Sequence, residues 1–178
     1  YTGLKNNQLE YLNVSGWDFG NIESLESTFR GLLHVKVIDG LNTWDTSKIK
    51  SMYALFENCE ALEKLDLSKW DTSSATGMGY MFSYMKSLRS LNIKGFNTSN
   101  VTNMESMFCS TPYLTELDVS SFDTSNVTNF SYMFDYLVNV RHLDFSHFDT
   151  SKGTNFYSMF ENMYMLNELD LSNFDMSK

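Results

Sequence analysis

Positive charge is scarce in this chain. Its 13 Lys and Arg stand against 22 Asp and Glu, for a formal net charge of −9. This argues against phosphate-backbone binding as a main activity, because such binding needs clustered Lys and Arg. It argues equally against docking on anionic lipid, while leaving room for a basic partner or for plain solubility. Long apolar runs are also missing: none reaches the roughly 18 residues that a membrane-spanning helix needs. The opening stretch, YTGLKNNQLE, lacks the basic-then-apolar pattern of a secretion signal. The chain starts without Met and stops inside a repeat, so it reads as a fragment of a longer protein whose signal or anchor lies elsewhere. The two cysteines, Cys59 and Cys109, say little about redox compartment. What is present is bulk: 42% hydrophobic and 15% aromatic residues over 178 positions. That is too apolar for a disordered chain and long enough for one domain with a sizeable core.

Self-similarity organises the sequence. The strings LEKLDLSKWDTS, LRSLNIKGFNTS, LTELDVSSFDTS, VRHLDFSHFDTS and LNELDLSNFDMS place Leu65, Leu91, Leu117, Leu143 and Leu169 at steps of 26 residues. LEYLNVSGWDFG, with Leu12, is an earlier copy. A degenerate copy ending in LNTWDTS lies between, and one insertion near Val37–Gly40 explains the 27 residues from Trp17 to Trp44. The second half of each period recurs as well, with Phe56, Phe82, Phe108, Phe134 and Phe160 in register. About seven such repeats fill residues 1–178, read as a single domain.

Within LTELDVSSF, Leu117 and Val119 alternate with Glu116, Asp118 and Ser120, the pattern of a short half-buried strand. Asp123-Thr124-Ser125-Asn126 reads as a turn, with Asp, Ser and Asn satisfying backbone groups locally. In VTNMESMF, Thr102 with Glu105 fits a helix-start capping box, and Met104, Met107 and Phe108 share one face. One or two helical turns, partly 3₁₀, are predicted there, ended in one copy by Thr111-Pro112. A lone copy cannot bury its apolar side; stacked copies can. The predicted fold is therefore α/β: a right-handed solenoid with one parallel sheet on the concave side and short helical turns on the convex side. Leu, the Trp/Phe column (Trp17, Trp44, Trp70, Phe96, Phe122, Phe148, Phe174) and the Met-Phe pair should fill its interior.

The string L-x-x-L-D-L-S-x-F/W-D-T-S-N-V-T-N-M-x-x-M-F-x-x-C-x-x-L resembles the BspA-like leucine-rich repeats, a 26-residue repeat family of bacterial surface proteins. The likeness covers nearly the whole chain. One departure is the Cys after Met-Phe, kept only at Cys59 and replaced by Met85, Thr111, Leu137 and Met163. The resemblance implies a leucine-rich-repeat fold, a secreted or wall-attached protein, and a role in adhesion or host contact. In this register Cys59 and Cys109 lie two rungs apart, roughly 9–10 Å, beyond the ~7 Å reach of a disulfide. Both thiols should stay free.

Catalysis needs unlike groups converging in a pocket, whereas equivalent rungs tend to make ladders of like groups. None of the common nucleotide, hydrolase or metalloprotease motifs occurs, and the chain is read as no enzyme, with no cofactor and no metal. His142 and His147 flank Asp144, but the surface reading of both outweighs a metal site. The turn acids Asp18, Asp45, Asp71, Asp123, Asp149 and Asp175 are read as turn caps rather than calcium ligands. A second polar strip should face outward on the sheet: Asp66, Asn92, Lys94, Glu116, Asp118, Ser120, His142, Asp144, Glu168 and Asp170. It is either a solvated face or a recognition surface for a basic protein or a glycan. Tyr80, Tyr84, Tyr132 and Tyr136, expected to point outward from the helices, form a rival surface.

The expectation is thus an extracellular binding module of a bacterial cell surface or wall. Its partner would be a host or matrix protein or a glycan, and not nucleic acid or membrane. A passive spacer is the alternative. Varied residues along Lys64, Ser90, Glu116, His142 and Glu168 favour binding, since a spacer should be uniform.

Overall fold

The structure, a computed structural model, describes residues 8–175 and 177; most of the polar opening stretch read above, residues 1–7, lies outside them. Regular structure is sparse. Among the described residues four strands of three residues occur: β1 (Tyr11–Asn13), β2 (Val37–Asp39), β3 (Lys64–Asp66) and β4 (Ser90–Asn92). They form two separate parallel sheets, β1 with β2 and β3 with β4. A 3₁₀ turn at Leu41–Thr43 is the one helical element among the described residues. None of their helices is long and apolar enough to cross a membrane.

This overturns the expected α/β leucine-rich-repeat solenoid, with its single concave sheet and helical convex side. The helical half fails first. In the segments read as helices, N–H groups bond to the neighbouring copy rather than four residues back. Tyr80, Phe82 and Tyr84 donate to the carbonyls of Glu105, Met107 and Cys109 at 2.7, 2.9 and 2.8 Å. The same bonds recur from Ser106, Phe108 and Ser110 to Ser131, Met133 and Asp135. Parallel bridges run from Ser24 through Ser51, Gly77, Asn103 and Asn129 to Asn155. The intervening residues close turns three apart, such as Met81 N–H to Met78 and Ser83 N–H to Tyr80. Two positions per copy then take left-handed φ, including Tyr80 at 59°, Tyr84 at 57°, Tyr132 at 56° and Tyr136 at 61°. A right-handed helix cannot contain them. The capping box is absent too: Glu105 N–H goes to Asn103 Oδ1, and the Thr102 hydroxyl to the carbonyl of Thr76.

The sheet fails at the insertion. Leu12 pairs with Ile38 and Leu65 with Leu91, so the extra residue lies after β2. It is taken up at Gly40, whose φ of 93° leads into the 3₁₀ turn. A side chain there is excluded twice: by that φ, and because a Cβ would stand 2.6 Å from Ser15 Cα. With no α-helix among the described residues, there is no bulkier side to curve a sheet inward.

The apolar pattern survives these corrections. Leu65, Leu117, Leu143, Phe96, Phe122 and Phe148 are buried, as are Met85, Thr111 and Leu137 in the column where Cys59 sits. Phe29, Phe56, Phe82, Phe108, Phe134 and Phe160 stack in one continuous file, with centroids 5.4 to 6.1 Å apart. Trp17, Trp44 and Trp70 stack beside it at 5.6 and 5.8 Å. In the outer copies the cover thins: Trp17 is 46% and Leu169 42% exposed. Cys59 and Cys109 are buried free thiols. Burial pushes the Cys59 thiol up to about 12, which leaves it inert as a nucleophile.

Candidate functional site

All ten residues of the predicted polar strip are exposed; Asp66 and Asn92 lie on β3 and β4, and the others alternate with apolar residues outside any strand. The structure brings four of them together. His142, Asp144, Glu168 and Asp170 line one shallow cleft of about 300 Å³ with Asn173, and His142 Nδ1 lies 3.7 Å from a Glu168 carboxylate oxygen. Asp66 lines a second cleft of about 300 Å³ with Asp39, Lys64 and Lys69, where β2 and β3 fail to pair. Asn92, Lys94, Glu116, Asp118 and Ser120 belong to the two copies between these clefts. No group of three His, Cys, Asp or Glu positioned to hold a metal is found among the described residues.

The strip acids do a local job that alternation does not display. Asp66, Asp118, Asp144 and Asp170 each accept the N–H of Ser68, Ser120, Ser146 and Ser172 at 2.9 to 3.0 Å. Asn92 does the same for Lys94 at 3.2 Å. These are Asx turns; those at Asp66 and Asn92 end β3 and β4. They hold the carboxyls below the usual carboxylate range. The serine amide is the main cause at Asp66, Asp144 and Asp170, and the serine hydroxyl at Asp118. The turn acids act alike: Asp123 takes Ser125 N–H at 3.0 Å and Asp149 takes Ser151 N–H at 2.9 Å, and both carboxyls are lowered, chiefly by the serine hydroxyl.

A pH dependence follows. A carboxyl depressed in the folded chain contributes stability above its unfolded pKa, and that contribution is lost as pH falls through the folded value. Thermal stability should be nearly flat down to roughly pH 4.5 and fall below about pH 4. Replacing Asp66, Asp118, Asp144 and Asp170 together by Asn keeps the turns, as Asn13 and Asn92 already do. The melting temperature of this variant, followed from pH 6 to pH 2.5, should decline less steeply than that of the native chain.

Two other features escaped the sequence. Thr46, Thr72, Thr98, Thr124 and Thr150 are buried, and each hydroxyl donates to the backbone carbonyl of the next copy's turn residue. Examples are Thr72 to Asn97 at 2.9 Å, Thr98 to Asp123 at 2.8 Å and Thr124 to Asp149 at 2.9 Å. The signal was the invariant middle Thr of D-T-S and N-T-S. Secondly, the indoles of Trp44 and Trp70 donate to the carbonyls of Val14 and Leu41 in the preceding copy, both at 2.9 Å. Where Phe148 and Phe174 replace Trp, the preceding residue reaches the equivalent carbonyl instead: His147 Nε2 lies 3.0 Å from Val119 O and Asn173 Nδ2 3.0 Å from Phe145 O. His147 is thereby an anchoring side chain.

On the opposite, turn side the tyrosines divide. Tyr80 bonds through its hydroxyl to Glu105 at 2.7 Å, whereas Tyr84 and Tyr136 are 39% and 45% exposed.

Among known proteins, a family model described as "Mycoplasma protein of unknown function, DUF285" matches residues 4–110 and again 85–178. No curated protein matches.

Proposed function

The chain belongs to the DUF285 family, a family of repeat-containing bacterial proteins, and we propose that it serves as a non-enzymatic binding module on the outside of the bacterial cell. Its partner is a host or matrix protein or a glycan, met on the strand side. One observation carries this reading: a uniform buried scaffold presents an exposed column that changes from copy to copy, Lys64, Ser90, Glu116, His142, Glu168. A passive spacer, the second reading, has no use for that variety. The Asx turns stiffen the strip, which lowers the entropy cost of binding. The shallow clefts around His142 and Asp66 suit side chains or sugar hydroxyls better than a small substrate, which calls for a deep, mostly apolar pocket. Likeness to BspA-like repeats supports the extracellular setting.

The test is a glycan and matrix-protein array probed with the native chain and with a Glu116→Lys, Glu168→Lys variant. These two side chains cap no turn, so the fold is spared. We expect binding by the native chain and at least about tenfold weaker binding by the variant, the effect of a 1.4 kcal/mol loss. An array on which the native chain binds nothing supports the spacer; equal binding by both proteins removes the strand side from the account.

A further inference from the structure

We propose that the turn side carries a second interaction surface, one that takes an extended Lys- or Arg-rich polypeptide segment. The inference does not rest on the strand-side reading, because it concerns the other side of each copy. Three observations support it.

The first is the placement of tyrosine. Tyr84 and Tyr136 occupy one column with Asn58, Ser110 and Asn162, and all five have φ between 57° and 61°. Asn is at home in this left-handed conformation; a bulky aromatic is an outlier there. Outliers of this kind persist where something else is gained. Tyr80, in the neighbouring column, gains a hydroxyl bond to Glu105 and a ring contact with Tyr53 at 5.5 Å. For Tyr84 and Tyr136 no hydroxyl hydrogen bond is found among the described residues, and both rings are exposed; that of Tyr136 meets Tyr164 edge-on at 6.4 Å. Tyr157, 65% exposed, extends the same patch and meets Tyr132 edge-on at 5.1 Å.

The second is charge. Segments 77–84, 103–110, 129–136 and 155–162 contain no Lys, Arg or His, yet carry Glu105, Asp135 and Glu161. Tyr84 stands in the field of Asp135, and Tyr132 in that of Glu161 and Asp135; Glu57, also near Tyr84, is buried and paired with Arg30 at 2.8 Å. Rings beside carboxylates suit a cation, which gains from the ring face and the carboxylate together. Glu105 and Asp135 keep their charge while accepting hydrogen bonds from Tyr80, Asn129 and Asn162, and Glu161 is exposed, so an acidic partner is repelled and a neutral one gains nothing from this charge. The molecule contains the same contact once already: the Arg89 guanidinium lies 4.8 Å over the Tyr113 ring.

The third is spacing. Tyr84 and Tyr136 lie two copies apart, roughly 9–10 Å, which is about one three-residue turn of a polyproline II segment, where every third side chain returns to the same side. A segment with basic residues at every third position matches both rings.

The test titrates the native chain with a synthetic peptide, acetyl-GRGGRGGRG-amide, and with its Glu counterpart, at low salt by calorimetry. The informative variant is Tyr84→Asn with Tyr136→Asn, which installs the residue that Asn58 and Asn162 already present at the same φ; its melting curve verifies folding. We expect the Arg peptide alone to bind, with about tenfold weaker binding by the tyrosine variant. A Glu63→Gln variant, which removes one exposed carboxylate just before β3 and leaves the turn side intact, should bind as the native chain does. Absence of Arg-peptide binding at millimolar concentration, equal binding by the tyrosine variant, or equal binding of the two peptides would each overturn the proposal.

Discussion

Phe108→Ala should lower stability by about 3–5 kcal/mol, the usual cost of emptying a buried aromatic site. Phe108 is fully buried. Its ring stacks on Phe82 at 5.7 Å and on Phe134 at 5.9 Å, and packs against Phe122 at 6.2 Å. Its loss opens a gap that faces on both sides cannot close, because hydrogen bonds from Phe82 to Met107 and from Phe108 to Met133 fix the spacing of the copies. Phe160 occupies the same column and stacks on Phe134 at 6.0 Å, but is only partly buried. Phe160→Ala should therefore cost clearly less. Urea unfolding of the two variants measures the difference; equal losses would mean that position along the file is irrelevant to packing.

Thr124→Val is the second large effect. The Thr124 hydroxyl donates to Asp149 O at 2.9 Å and accepts Asp149 N–H at 2.9 Å, with the side chain 1% exposed. Valine preserves the shape and removes both bonds. Each backbone group left unpaired in a buried setting costs about 1–3 kcal/mol. Thr124→Ser keeps the hydroxyl and loses one methyl, for about 0.8 kcal/mol. The expected order of melting temperature is native, then Ser, then Val. A valine variant as stable as the serine variant would show that the clamp between copies is dispensable.

The parts of this fold that were legible in the sequence are those set within one copy. Alternation around Leu117 and Val119 identifies the buried row and turns all ten strip residues outward. The spacing of Trp17, Trp44 and Trp70 locates the extra residue within a few positions of Gly40. The helices were misjudged because Met104, Met107 and Phe108 lie three and four residues apart, which fits a helix face and fits successive tight turns equally well. The deciding factor is hydrogen bonding between neighbouring copies, joining residues 25 apart as from Phe82 to Met107, and the pattern of one copy carries no trace of it. A cue did exist: Gly31, Asn58 and Asn162, all tolerant of left-handed φ, share one column. The strip acids were placed correctly but their turns were not recognised, although Ser follows two residues after Asp66, Asp118, Asp144 and Asp170. Thr124 and its equivalents were passed over because a hydroxyl in a polar string reads as exposed; only the stacking of copies buries it.

The central physical claim is that these segments hold one another through their backbones instead of closing helical turns of their own. Scalar couplings across hydrogen bonds, measured by NMR on labelled protein, test it directly. The account predicts couplings from the amides of Tyr80, Phe82 and Ser106 to the carbonyl carbons of Glu105, Met107 and Ser131. Couplings from those amides to the carbonyls four residues earlier in the chain would contradict it.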